Sequence, residues 1–221
     1  EVNRVLTDRV ADYLFTPSVD GNENLAREGV PPEKVHFVGN VMIDTLVRLL
    51  PHAGKETPAP GSYALATLHR PSNVDDPAEL RRIICALNEI AEKIEILFPV
   101  HPRTRQMMQE LADIQPAPGL RLTDPVGYLE FLGLQRNALF VITDSGGIQE
   151  ETTFLGVPCL TVRENTERPV TVSIGSNLLV GRDMERLKKE AAAILAGQAK
   201  RGGIPPLWDG KAGERIAGIL A

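Results

Sequence analysis

Short apolar runs alternate with amphipathic stretches along the whole chain. Runs at 13–16, 35–38, 63–68, 94–100, 138–143 and 158–162 are rich in Val, Ile, Leu and Phe and bounded by Gly, Pro or charged residues. They predict buried strands. Stretches at 22–28, 42–50, 77–93, 103–112, 128–135, 148–155 and 184–196 carry apolar residues at helical spacing, and a last helix starts near Lys211. Asp76-Pro77 is a strong helix start, with Asp as the cap and Pro in the first turn. Strand and helix in alternation predict a parallel sheet covered on both faces. The expected fold class is therefore α/β, a Rossmann-like doubly wound parallel sheet. The first segment already reads as the middle of a helix and opens at Glu1, not at Met, so the sequence is expected to be a piece of something longer.

Breaks in the pattern suggest the organisation. Pro51, Gly54, Pro58, Pro60 and Gly61 mark 51–62 as a connector. It separates a first part, 1–50, with the opening βα units, from a main domain expected over 63–221. A second Gly/Pro-rich loop runs from Gly197 to Trp208. Composition adds exclusions. With 43% hydrophobic and 24% charged residues the chain reads as globular, not disordered. No apolar run approaches the ~18–20 residues that span a bilayer, and the charged start EVNRVLTDRV does not read as a signal peptide. A net charge of -5 disfavours nucleic acid as the partner. Cys85 and Cys159, both in apolar surroundings, suit neither a disulfide framework nor a zinc site and fit a reducing cytoplasm.

Candidate chemistry lies where predicted strands end. At Asp144-Ser145-Gly146-Gly147 a buried strand runs into a helix. A helix N-terminus presents free N–H groups and about half a positive charge, which suits a phosphate. Glycines let the anion approach, Ser145 adds a hydroxyl, and Glu151 can accept from a sugar diol. The same residues also read as a capped turn with Glu150 and Glu151 as ordinary first-turn acids. The string is not GxGxxG, which disfavours a nicotinamide cofactor. His69, a proton shuttle near neutral pH, and Arg70, a phosphate partner, follow another strand in Thr67-Leu68-His69-Arg70-Pro71-Ser72-Asn73. His101 and Arg103 follow a third. Thr166 and Arg168 lie in the charged loop 163–169 and suit a sugar or phosphate, with Glu167 as an arginine partner. Each set also reads as structural. Their convergence on one sheet rim favours an anionic ligand. Asn40 reads first as a helix N-cap and otherwise as a cleft residue. Tyr128 and Phe131 read as core, as do Trp208, Met107 and Met108.

Gly39-Asn40-Val41-Met42-Ile43-Asp44, the His69-Arg70-x-x-Asn73 loop, Asp144-Ser145-Gly146-Gly147-Ile148-Gln149-Glu150-Glu151 and Thr166-Glu167-Arg168-Pro169 occur in order. Together they resemble the non-hydrolysing UDP-N-acetylglucosamine 2-epimerases, over essentially the whole chain. The resemblance implies a GT-B architecture of two Rossmann-like domains, with this chain as its C-terminal, nucleotide-binding part and the N-terminal domain absent. It implies interconversion of UDP-GlcNAc and UDP-ManNAc with no cofactor or metal. The C2 proton is abstracted as UDP is eliminated, giving a 2-acetamidoglucal, and UDP re-adds after protonation on the other face. It further implies His69 and Glu1 as catalytic residues. Arg70, Asn73, His101, Arg103, Ser145, Gly146, Gly147, Glu151, Thr166, Arg168 and Asn40 would bind UDP or the sugar. A homodimer serving cell-surface polysaccharide synthesis is the family expectation. Pro71 and Ser72 stand where many members carry Arg-Glu. The alternatives are a GT-B UDP-sugar glycosyltransferase and a non-catalytic UDP-sugar-binding module.

Overall fold

A computed structural model of the chain describes residues 2–54, 58–111 and 115–221. Its strands are β1 (Leu14–Thr16), β2 (Val35–Phe37), β3 (Tyr63–Thr67), β4 (Glu95–Pro99), β5 (Leu120–Thr123), β6 (Val141–Thr143), β7 (Cys159–Thr161) and β8 (Asn177–Leu179). The helices are α1 (Val2–Val10), α2 (Val19–Arg27), α3 (Val41–Leu49), α4 (Pro71–Val74), α5 (Pro77–Ala91) and α6 (Pro102–Glu110), followed by α7 (Tyr128–Asn137), α8 (Gly146–Leu155), α9 (Pro169–Ser173), α10 (Met184–Leu195) and α11 (Ala212–Leu220). No described helix is long and apolar enough to cross a membrane.

The chain divides into two compact units. The larger, Leu49–Gly203, carries a six-stranded, all-parallel sheet in the order β5-β4-β3-β6-β7-β8. The strand order thus runs one way from β3 and the other way from β6, the pattern of a doubly wound Rossmann-like sheet. Burial explains its near-continuous apolar strands. In β3, Ala64 and Ala66 join the larger core with Leu80, Ile83, Leu87 and Leu187 of α5 and α10. Tyr63 and Leu65 point the other way, into a cluster with Leu134 of α7 and the partly buried Ile148 and Leu155 of α8. Alternate side chains of one strand therefore face helices on opposite sides, and both faces must be apolar. The Tyr63 hydroxyl donates to the Leu134 carbonyl at 2.6 Å, and burial pushes its pKa up to about 12.

The smaller unit, Glu1–Arg48 with Ile204–Ala221, holds the parallel pair β1-β2. The sequence pattern carries one main domain from 63 to 221, whereas here the last segment packs with the first. Three contacts account for this. The Trp208 indole donates to the Pro17 carbonyl at 2.8 Å. Asp44 accepts from the Ala212 and Gly213 amides at the start of α11, at 3.0 and 2.6 Å. Gly39, at φ +88, lies so close to Leu207 that a Cβ would overlap its carbonyl oxygen.

The predicted strands and helices are all present, with shifted ends; the helix expected over 103–112 starts at Pro102, and its last residue lies outside the described ones. β5, β8 and the short helices α4 and α9 were not expected from the pattern. β5 and β8 are the two sheet edges, where one neighbour and partial exposure remove the need for an apolar run. Two expectations about burial are corrected. Cys85 is exposed on α5 while Cys159 is buried, with its thiol pKa pushed up to about 11. Tyr128 is 41% exposed at the start of α7, not core.

Candidate functional site

The reversal of strand order falls between β3 and β6, which pair in parallel. Ligands of open α/β sheets bind beyond the carboxyl ends of strands at such a point. Here β3 delivers Leu68-His69-Arg70 and β6 delivers Asp144-Ser145-Gly146.

Asp144 organises this edge. It is fully buried, and its carboxylate accepts from the backbone N–H groups of His69 (3.1 Å) and Arg70 (2.9 Å) and from the Asn73 amide (3.0 Å). His69 Nδ1 lies 3.0 Å from Asp144 Oδ1. Burial opposes ionisation of Asp144, but the bonds from His69, Arg70 and Asn73 outweigh it and hold the carboxyl below its usual value. The same pair raises the His69 pKa, against partial burial and the nearby Arg70 charge. Asn73 also donates to the Val162 carbonyl at the end of β7 (3.0 Å), and Arg70 Nε donates to the Asp144 carbonyl (3.1 Å). The His69–Asn73 loop is thereby fastened across neighbouring strands. Its short helix α4 begins at Pro71, where the proline fits the first turn.

At the start of α8, Ser145 is the N-cap and uses no side-chain bond to cap the helix. The first helical bond is donated by Gln149 to the Ser145 carbonyl, so the N–H groups of Gly146, Gly147 and Ile148 precede the ladder. The helix starts two residues earlier than its apolar pattern predicts, and both glycines therefore present backbone donors. Gln149 is the hub behind this turn. Its amide N donates to the Ser145 carbonyl (3.1 Å), and its oxygen accepts from Thr166 (2.6 Å) and Asn177 (3.1 Å). Thr166 in turn accepts from the Arg168 amide at 2.9 Å. The charged loop is thus tied to α8, and Arg168 Nε lies 2.7 Å from the buried Glu150 carboxylate. Glu167 pairs with Arg163 (2.8 Å) and lies 3.8 Å from Arg70. Its carboxyl is held below the usual value first by the Arg163 bond.

Glu151, on the same helix, is buried. Its Oε1 accepts from the Tyr128 hydroxyl at 2.9 Å, and its Oε2 has no partner among the described residues. Burial raises its pKa, against the Tyr128 bond and the nearby Gln135 amide, with the Glu150 charge in support. A buried carboxylate oxygen without a donor is a ready acceptor for a ligand hydroxyl.

The structure therefore gathers His69, Arg70, Asn73, Ser145, Gly146, Gly147, Thr166 and Arg168 around the ends of β3, β6 and β7. Their chemistry differs. Asn73 and Thr166 are spent on internal bonds, while the Ser145 hydroxyl and the Gly146, Gly147 and Ile148 amides make no hydrogen bond among the described residues. His101 instead caps α6, its Nδ1 accepting from the Arg103 amide at 3.3 Å, and Arg103 turns to Asp75 at 2.8 Å. Asn40 belongs to the smaller unit and caps α3 through Met42 N at 2.9 Å. Glu1 lies outside the described residues. The sequence pattern assigns no site role to Asp144, Gln149 or Tyr128. Asp144 and Gln149 stand inside the helix-start string, but their partners His69, Asn73, Thr166 and Asn177 are remote in sequence.

A family model described as UDP-N-acetylglucosamine 2-epimerase matches residues 1–221. The UDP-N-acetylglucosamine 2-epimerase of Methanocaldococcus jannaschii is 42% identical over 234 residues, covering 100% of this chain and 63% of that protein. The UDP-2,3-diacetamido-2,3-dideoxy-D-glucuronate 2-epimerase of Pseudomonas aeruginosa is 39% identical over 230 residues, with the same coverage of 100% and 63%. A crystal structure of the M. jannaschii enzyme in complex with UDP-GlcNAc and UDP superposes with a TM-score of 0.86, covering 100% of this chain and 64% of that one. The chain spans about 63% of the length of these curated relatives. With the whole chain matched and the doubly wound sheet shared, the chain belongs to the UDP-N-acetylglucosamine 2-epimerase family.

Proposed function

We propose that the chain is the nucleotide-binding part of a UDP-N-acetylglucosamine 2-epimerase, an isomerase that interconverts UDP-GlcNAc and UDP-ManNAc. The observation that carries this reading is the strand-order reversal. It brings His69 and Arg70 from β3 beside the free N–H groups and the Ser145 hydroxyl at the start of α8 from β6. A leaving diphosphate needs that kind of charge stabilisation. The C2 proton goes to a base, the C1–O bond breaks, and UDP departs with the electron pair, leaving a C1=C2 glucal. Re-addition of UDP after protonation of C2 on the opposite face completes the inversion. Ser145, Gly146 and Gly147 hold the phosphates, with Arg70 and Arg168 flanking. Glu151 accepts from the ribose diol through its unpartnered oxygen. His69 works at the sugar–diphosphate junction. By family membership Glu1 is a catalytic carboxylate, Asn73, Thr166, His101 and Arg103 are contacts or supports of the ligand on the larger unit, and Asn40 is a UDP-sugar residue of the smaller unit. The larger unit is the UDP-binding domain. A homodimer, by family membership, and a reducing cytoplasm, which suits the free Cys85 and Cys159, complete the reading.

The test is epimerisation of UDP-GlcNAc in deuterated solvent by the full-length parent. The expected result is formation of UDP-ManNAc with deuterium at C2. Transfer of the sugar to an acceptor without C2 exchange would make it a glycosyltransferase, and binding with no exchange a sensor module. The diacetamido-glucuronate relative, at 39% identity, makes that UDP-sugar the comparison substrate.

A further inference from the structure

His69 is coupled to a group remote in sequence and fully withdrawn from solvent. Asp144 has a side-chain exposure of 0%, while the His69 side chain is 55% exposed. Nδ1 of the ring faces Asp144 Oδ1 at 3.0 Å, and Nε2 makes no hydrogen bond among the described residues. Both carboxylate oxygens receive donors: Oδ1 from His69 N and Nδ1, Oδ2 from His69 N, Arg70 N and Asn73 Nδ2. A carboxylate held by several donors stays ionised. An ionised carboxylate has no proton to give, so the hydrogen between it and the ring must sit on Nδ1.

We propose that Asp144 is the positioning residue of His69: its buried carboxylate takes the Nδ1–H, fixes the ring tautomer and leaves Nε2 as the nitrogen that meets the substrate. In the neutral ring Nε2 then carries a bare lone pair. In the imidazolium it is the donor to the diphosphate. The pairing also favours the imidazolium, as the raised His69 pKa reflects, with Arg70 as the opposing charge from the same loop. Glu167, which faces Arg70 at 3.8 Å from the neighbouring loop, tempers that opposition. The role of Nε2 toward the diphosphate rests on the epimerase reading above. The state of the ring does not.

Ring-nitrogen NMR of the 221-residue chain without substrate tests it. The chain has four histidines, and a His69→Gln variant assigns the signal. The expected wild-type spectrum has the neutral ring protonated on Nδ1 and a titration midpoint above that of an ordinary histidine. Asp144→Asn should lower the midpoint and let the Nε2–H tautomer appear, with the amide spectrum still folded. A purely structural Asp144 would move neither. A wild-type ring protonated on Nε2 overturns the proposal whether or not the variant folds. So does a folded Asp144→Asn protein with an unchanged midpoint and tautomer. Loss of epimerisation by the parent with this ring signature intact would count against the epimerase reading alone.

Discussion

Glu151 and Asp144 are both buried carboxylates, and their surroundings push them in opposite directions. Burial disfavours the charged form of Glu151, and the Tyr128 bond and the nearby Gln135 amide offset it only in part. Its raised pKa means that any stability it adds is present below the unfolded-state value and is lost as the pH rises through the folded one. Glu151→Gln keeps an acceptor for Tyr128 and removes that loss. It should stabilise the chain by ~1 kcal/mol at neutral pH, with the difference shrinking in acid, as thermal unfolding across pH would measure. The same substitution should weaken UDP binding, and Glu151→Ala should weaken it by about 1–3 kcal/mol in calorimetry. Affinity unchanged from wild type in both variants would make the glutamate purely structural. Asp144 runs the other way. Its lowered pKa contributes stability above the unfolded-state value, lost as the pH falls through the folded one. Asp144→Asn should cost about 1–3 kcal/mol at pH 7, and the gap to wild type should close in acid.

Elements differ in how much of their reason is local. The N-terminus of α5 is local: Asp76 accepts from the Ala78 amide at 2.9 Å, two residues away, and Pro77 fits the first turn. Neighbouring residues state that start in full, which is why the sequence pattern finds it. The junction before α3 is not local. Gly39 is in the left-handed region at φ +88, and the chain near Leu207 packs where a side chain would stand. Gly39→Ala should destabilise by more than about 2 kcal/mol in urea unfolding, from backbone strain and overlap together. A cost under ~0.5 kcal/mol would mean that the contact gives way easily. α8 depends on both ranges. Its glycines are readable as an open helix start, but Gln149 holds Ser145, Thr166 and Asn177 at once. Gln149→Leu fills similar space while leaving buried partners unsatisfied. It should loosen loop 163–169 and weaken UDP binding several-fold, with faster amide exchange at Arg168 as the accompanying sign.

For the molecule as a whole, the chain spans about 63% of its curated relatives, and its larger unit carries the groups proposed to hold the diphosphate. The isolated 221 residues should bind UDP without epimerising UDP-GlcNAc, and measurable turnover by the chain alone would refute that division of labour. Binding should weaken as salt is added, because the proposed diphosphate partners Arg70 and Arg168 are partly exposed cations. The net charge of -5 hides this, since the positive charge is local and much of it already answers Glu150 and Glu167.

The sequence by itself determined the parallel α/β class, the central strands, most helices and the anion-ready turn at Asp144-Ser145-Gly146-Gly147. Those features follow from periodicity and from caps and turns that act within a few residues. Only the tertiary structure decided the edge strands β5 and β8, because an edge is defined by having no second neighbour. It also decided that Ile204–Ala221 packs with the first segment and that Asp144 holds a histidine 75 residues earlier in the chain. His101 and Arg103 carry the same lesson: the pattern puts them after a strand end, and only the packed chain shows His101 capping α6 and Arg103 paired with Asp75. A residue's type sets which bonds it can make, and the packed chain sets which partner is within reach.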